Sequence, residues 1–217
     1  MQVLNPALNF SHQDEIFDPA IARSLTIIGA GSIGSCVALV AAKMGVSKII
    51  VYDEDSVESH NIPMSAYRIC DLGVRKVQAL KEIIKEHSGT DIVAIPEMYT
   101  GQRLRDTVVL CVDTMEARQL VFSKINPLVD LLIDTRLAQE YLSVFAIEPT
   151  NKFDVDFYKH FLAYSTEEAA RIDCGTHGIA PISMRAASVV CANLINFWKN
   201  GKKEMHYEEL CIALQRV

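Results

Sequence analysis

A glycine turn set between a strand pattern and a helix pattern constrains this chain more than any other feature. In LTIIGAGSIGSCVALVAAKMGVSKIIVYDED, residues 25–55, an apolar β-branched run ends at Ile28, and Gly29, Gly31 and Gly34 follow as G-x-G-x-x-G. Ile33, Val37, Val40, Ala41 and Met44 then recur at helical spacing, and a second apolar run, 48–52, ends on Asp53. Strand, tight turn, helix and strand in this order predict the nucleotide-binding unit of a doubly wound α/β sheet. Glycine lets the backbone approach a phosphate, and the helix start beyond it presents unpaired N–H groups. An acid at this distance accepts ribose hydroxyls. Gly29, Gly31, Gly34 and Asp53 are therefore the first candidates for a nucleotide site.

The rest of the chain extends the same pattern. Residues 73–86 place Val77, Leu80, Ile83 and Ile84 on one helical face and lead into a strand at 91–95. Residues 107–112 are a fully apolar strand ending on Asp113, 116–125 have a helical pattern, and 129–133 form another buried strand ending on Asp134. The alternation predicts a Rossmann-like, doubly wound, mostly parallel sheet with helices on both faces, turning antiparallel near 141–147. Residues 1–24, with Pro6 and Pro19, read as an irregular N-terminal arm with a short helical piece and a candidate contact for a partner. Residues 151–180 carry Phe153, Phe157, Phe161 and Tyr164 and then Ser165-x-x-Glu168, and read as a surface excursion with a capped short helix. Residues 181–199 form a helix whose Ala186, Ala187, Ser188, Cys191 and Ala192 permit close approach to the sheet or to another subunit, and 204–214 form a final edge strand.

At 217 residues, half of them apolar, the chain suffices for one domain with its own core. A net charge of −6 without a basic block argues against nucleic acid as the main partner and for a small molecule or a protein. No basic-then-apolar leader pattern is present, and the apolar runs fall short of the about 20 residues of a membrane span, so a cytoplasmic protein is expected. The six cysteines never form C-x-x-C, which predicts reduced thiols and no structural zinc. Cys36, Cys111, Cys191 and Cys211 read as small core residues, whereas Cys70 and Cys174 lie in loops. Arg171 and His177 stand near Cys174 to favour a thiolate.

Asp53, Asp55, Asn61, Lys76 and Asp113 fall where such a sheet exposes its ligand, outside the carboxyl ends of the strands. Lys76 opens its helix, where the macrodipole disfavours a cation by a few tenths of a kcal/mol and a bound phosphate would compensate; the plainer reading is a solvated surface lysine. Asp113 ends its strand where a carboxylate could hold Mg²⁺ on the phosphates of ATP; the plainer reading is the N-cap of the next helix. Asp134 reads as a turn residue.

Taken together, GAGSIG, YDEDSVESHN, GVRK and VLCVDT, in this order and spacing, resemble the ThiF/MoeB family of adenylating enzymes that activate ubiquitin-like proteins and sulfur carriers. The resemblance implies a single ThiF-type domain over 1–217, with Gly31 and Asp53 at the adenosine ribose, Asn61 and Lys76 at the phosphates, and Asp113 on Mg²⁺. It also implies that ATP and Mg²⁺ are used to adenylate the C-terminal carboxylate of a ubiquitin-like protein, sulfur carrier or peptide with a flexible tail, and that GIAPISMRAASVVCANLINF contributes to a homodimer. Three features depart from the family. Its usual arginine three residues after the asparagine is here Met64, with Arg68 the nearest substitute; its paired C-x-x-C zinc ligands are absent; and there is no room for a separate catalytic-cysteine domain, which leaves Cys174 as the position for any thioester. The aromatic segment from Phe153 to Tyr164 is the expected wall of a groove for the tail. The alternatives are a non-catalytic nucleotide-binding subunit of such a complex, suggested by Met64, and an NAD-dependent oxidoreductase, which would share the glycine turn and Asp53 but has no need of Lys76 and Asp113.

Overall fold

A computed structural model describes residues 8–138, 141–163 and 179–211. Seven strands form one sheet in the order β3-β2-β1-β4-β5-β6-β7. In chain order they are β1 (Leu25–Ile28), β2 (Ile49–Tyr52), β3 (Val93–Ile95), β4 (Asp106–Leu110), β5 (Val129–Ala138), β6 (Tyr141–Ile147) and β7 (His206–Leu210). The first five are mutually parallel, and β6 and β7 pair antiparallel. The expected fold class, mostly parallel with an antiparallel C-terminal extension, is what the structure shows.

Helices cover both faces, which is why the central strands are apolar on both sides. Helices α1 (Ser32–Lys43), α2 (Lys76–Ser88) and α5 (Ala180–Asn200) share one core with Leu25, Ile27, Val51, Val109 and Ile133, the inward positions of alternate residues. On the other face, α3 (Met115–Lys124) and α4 (Lys152–Leu162) pack with Ile28, Val108, Leu110 and Leu132. Helix α2 stops at Gly89, whose φ of +66° supplies the left-handed turn that ends a helix.

Three expectations are corrected. The aromatic segment after residue 151 does not begin as a surface excursion: 152–162 is helix α4, capped by Asn151 and carrying Tyr158, which is fully buried. Of its aromatic side chains Phe153 stands out in solvent at 68 %, whereas Phe157 and Phe161 turn in to pack around Phe145 and His206, so the expected aromatic wall is largely core. Asp134 is not a turn residue either; it lies inside β5 at 1 % exposure. The arm packs on its own chain: Phe17 is buried against Trp198, and the Lys199 ammonium donates to the carbonyls of Glu15 and Ile16. Of the small side chains of α5, Ala186, Ala187 and Cys191 are buried in one core with Val37, Ala38 and Ala41 of α1, whereas Ser188 and Ala192 are exposed. Tyr164, Ser165, Glu168, Arg171, Cys174 and His177 lie outside the described residues.

Candidate functional site

The parallel strands end level with one another: Ile28 pairs with Tyr52 and Leu110, Tyr52 with Ile95, and Leu110 with Asp134. The order in which strands are added reverses next to β1: β2 and β3 extend the sheet on one side of it, and β4 and β5 on the other. The glycine turn after β1 and Asp113 after β4 therefore flank the switch point where open α/β sheets bind ligands.

The three glycines do different work. Gly29 has φ +94°, and a Cβ there would lie 2.4 Å from the Cys111 carbonyl oxygen, so the turn runs hard against the end of β4. A Cβ on Gly34 would lie 1.9 Å from the Gly29 carbonyl oxygen, which fixes the helix against the turn. Gly31, the residue before α1, has no atom within 4 Å of its absent Cβ. It faces open space at a helix start, where backbone N–H groups favour an anion.

Asp53 ties this turn to the next strand. One carboxylate oxygen accepts from the Ala30 N–H at 2.7 Å and the other from the Asp55 N–H at 2.9 Å. A carboxylate has about four lone-pair sites, so capacity for ribose hydroxyls remains. The Lys76 ammonium lies 2.7 Å from Asp55 and 3.9 Å from Asp53. At 8 % exposure Lys76 is not a solvated surface lysine. It is the first residue of α2, and the two carboxylates offset the unfavourable helix dipole there.

Thr114, and not Asp113, caps α3: its hydroxyl accepts from the Ala117 N–H. Asp113 is exposed, and its carboxylate has neither hydrogen bond nor ion pair among the described residues. No group of three or more His, Cys, Asp and Glu able to hold a metal occurs among the described residues. A cation at Asp113 would thus draw its other ligands from phosphate and water, which fits Mg²⁺ and its preference for one or two carboxylates beside phosphate oxygens.

Asn61 sits in a short 3₁₀ turn, Ser59–Met64, where its amide oxygen accepts from the Glu58 N–H at 2.9 Å. Arg68 is engaged elsewhere, gripping Asp71 at 2.9 Å and 3.2 Å and pairing with Glu86. Cys70 is exposed; Cys174 lies outside the described residues.

Two site residues escaped the sequence reading. Tyr67 is buried, and its hydroxyl donates to the Ala30 carbonyl at 2.6 Å, so Ala30 in the glycine turn is held at its carbonyl by Tyr67 and at its N–H by Asp53. Burial first, and then Asp53 nearby, push its phenol well above the ordinary range, so it stays a donor. A tyrosine alone in a polar loop was the available signal, because a buried phenol needs a partner. The second is Arg118, buried beside Asp134, with no pattern in sequence to join them.

Comparison with known proteins bears on this geometry. The model of the ThiF family matches residues 12–211. The chain belongs to the ThiF family. This ThiF-family chain is 28% identical over 117 residues to ubiquitin-like modifier-activating enzyme 5 of Caenorhabditis elegans, covering 46% of the chain and 28% of that relative. It is 27% identical over 143 residues to the enzyme of the same name from Arabidopsis thaliana, covering 55% and 33%. The chain thus spans a minor part of these relatives' length. Among solved structures, PaaA superposes with a TM-score of 0.69 at 16% identity, covering 97% of this chain and 83% of that one. E. coli MccB with ATP superposes with a TM-score of 0.67 at 15% identity, covering 97% and 73%. These likenesses share the fold. No helix among the described residues is long and apolar enough to cross a membrane.

Proposed function

We propose that this protein uses ATP to adenylate the C-terminal carboxylate of a ubiquitin-like protein, a sulfur carrier or a peptide. The observation that carries the reading is the buried Lys76 ammonium, held by Asp55 and Asp53 at the strand ends that border the open glycine turn. Ubiquitin-like modifier-activating enzymes among the relatives, and MccB structures with ATP and with MccA among the neighbours, support the same direction.

In this reading the adenosine ribose meets Asp53, and the phosphates lie over Gly31 toward Lys76 and Asn61. A carboxylate oxygen of the acceptor attacks the α-phosphorus, the bond from that phosphorus to the bridging oxygen breaks, and pyrophosphate leaves with the bond's electron pair. The chain does little covalent work; it aligns the reactants and places cations where phosphate charge is redistributed. Asp113 would hold Mg²⁺, which neutralises phosphate charge when bound. Cys174 is the position to test for a thioester, and a cytoplasmic setting fits reduced thiols. A like-subunit dimer belongs to the proposal too. Of the small residues of α5, Ala186, Ala187 and Cys191 are buried inside the chain, so the reading rests on Ser188 and Ala192, which are exposed together with Met184. Light scattering at micromolar concentration with ATP should give twice the monomer mass, and a monomer there removes the dimer.

The test is ATP–pyrophosphate exchange with candidate proteins and peptides that end in flexible tails. Exchange that depends on the acceptor is expected. A second reading, a nucleotide-binding subunit without chemistry of its own, is favoured by Met64 at the family's arginine position and by Arg68 being tied to Asp71 and Glu86. Thermal stabilisation by ATP without exchange would select it. Stabilisation by NADH and not by ATP would instead select the oxidoreductase.

A further inference from the structure

We infer that the buried pair Arg118–Asp134, with Thr135, is a positioning brace for Asp113; the inference rests on the adenylating reading only where it concerns Mg²⁺. Asp113 occupies the short link from β4 to α3, and this link is gripped on both sides. On its strand side the Thr135 hydroxyl donates to the Leu110 carbonyl at 2.9 Å. On its helix side Arg118 donates from Nη1 to the Thr114 carbonyl at 3.2 Å, while its Nη2 donates to the Thr135 carbonyl at 2.8 Å. One guanidinium thereby joins the residue after Asp113 to the residue that holds the strand before it.

Asp134 sets this guanidinium in place. Its Oδ1 forms an ion pair with Arg118 Nε at 3.0 Å, without hydrogen-bond alignment, and its Oδ2 accepts from Arg136 Nε at 2.8 Å and from the Tyr158 hydroxyl at 2.9 Å. The Arg118 and Asp134 side chains are 6% and 1% exposed, so neither can turn to water for another partner. A buried carboxylate between two guanidiniums is a costly way to hold a sheet together, since apolar side chains of similar volume often do so at least as well. What the ions add is direction: the planar Arg118 fork reaches two carbonyls at a fixed angle, which a flexible lysine cannot reproduce. Among the described residues the Asp113 carboxylate has no partner that would orient it, so the fixing of its backbone on either side decides where that carboxylate stands.

Arg118 and Asp134 are positioning residues, acting on a carboxylate they do not touch. The test uses Arg118→Lys, which keeps a cation beside Asp134, and Thr135→Val, which leaves the ion pair whole. Amide hydrogen exchange is followed at residues 111–114, and the dissociation constant of ATP is measured by calorimetry in Mg²⁺ and in EDTA. Both variants should raise exchange at 111–114 and leave α2 protected. Arg118→Lys should also reduce the EDTA-to-Mg²⁺ ratio by about tenfold or more, the usual scale for losing the support of a metal ligand, with little change in the EDTA value. Unchanged exchange at 111–114 in both variants, or an unchanged ratio in Arg118→Lys accompanied only by a lower Tm, would overturn the inference and leave the cluster as a plain tether of α3 and α4 to β5. If the unmodified protein shows no Mg²⁺ effect on ATP, the adenylating reading fails at Asp113, while the exchange data still decide the brace.

Discussion

Asp55 holds the Lys76 ammonium at 2.7 Å while remaining itself largely in solvent, so the cation is buried and its partner is exposed. Asp53, 3.9 Å away on the sheltered side, accepts one backbone N–H on each carboxylate oxygen. An exposed carboxylate gains little from a single ion pair, so a phosphate that offers more than one oxygen can displace it. Lys76→Ala should weaken ATP binding by about tenfold or more, equivalent to about 1.4 kcal/mol. The fold should persist, because Asp53 keeps both of its donors. Calorimetric titration with ATP checks this, and an unchanged affinity would assign Lys76 to structure alone.

The glycines separate ligand approach from packing. Gly31→Ser keeps a residue that caps a helix well and meets no protein atom, so stability should stay within about 0.5 kcal/mol. ATP binding should fall, since the new side chain enters the space over the helix start. Gly34→Ala would press a methyl group against the Gly29 carbonyl and should lower the Tm whether or not nucleotide is present. Thermal melts of both variants, with and without ATP, distinguish the two roles.

The thiols give a pH signature. Burial pushes Cys111 and Cys191 from 9.0 up to about 12. A thiol raised on folding stabilises the protein fully below its unfolded value, and this contribution is lost as pH climbs from about 9 toward 12. Urea midpoints should therefore fall across that window. At pH 8, iodoacetamide should label exposed Cys70 ahead of buried Cys36 and Cys191 and half-buried Cys111, as read by mass spectrometry of timed digests.

Wherever periodicity and glycine chemistry act locally, the sequence was a sufficient guide. The strand before Gly29, helix α1 and Asp53 at the end of β2 follow from spacing, and strand β6 from its β-rich composition. Asp113 could be placed at a strand end, but a choice between ligand and cap required seeing that Thr114 makes the capping bond. Asp134 misled because an acid after an apolar run reads as a turn. Its two arginines and a tyrosine come from α3, β5 and α4, and only tertiary packing reveals that a buried carboxylate has such company. Helix α4 was obscured for a related reason: its aromatic residues face Phe145 and His206, which lie on two different strands.

Asp113→Asn is the most direct measurement of the proposed chemistry. The substitution keeps shape and removes the charge that would hold Mg²⁺ on the phosphates. Because Thr114 caps α3, the helix start is untouched and circular dichroism should match that of the unmodified protein. With an acceptor that supports ATP–pyrophosphate exchange, the variant should lose exchange by about a hundredfold or more, the scale of removing a principal electrostatic contact. Undiminished exchange in a folded Asp113→Asn protein would contradict the proposed role of this carboxylate and, if Lys76→Ala also exchanges normally, the adenylating site itself.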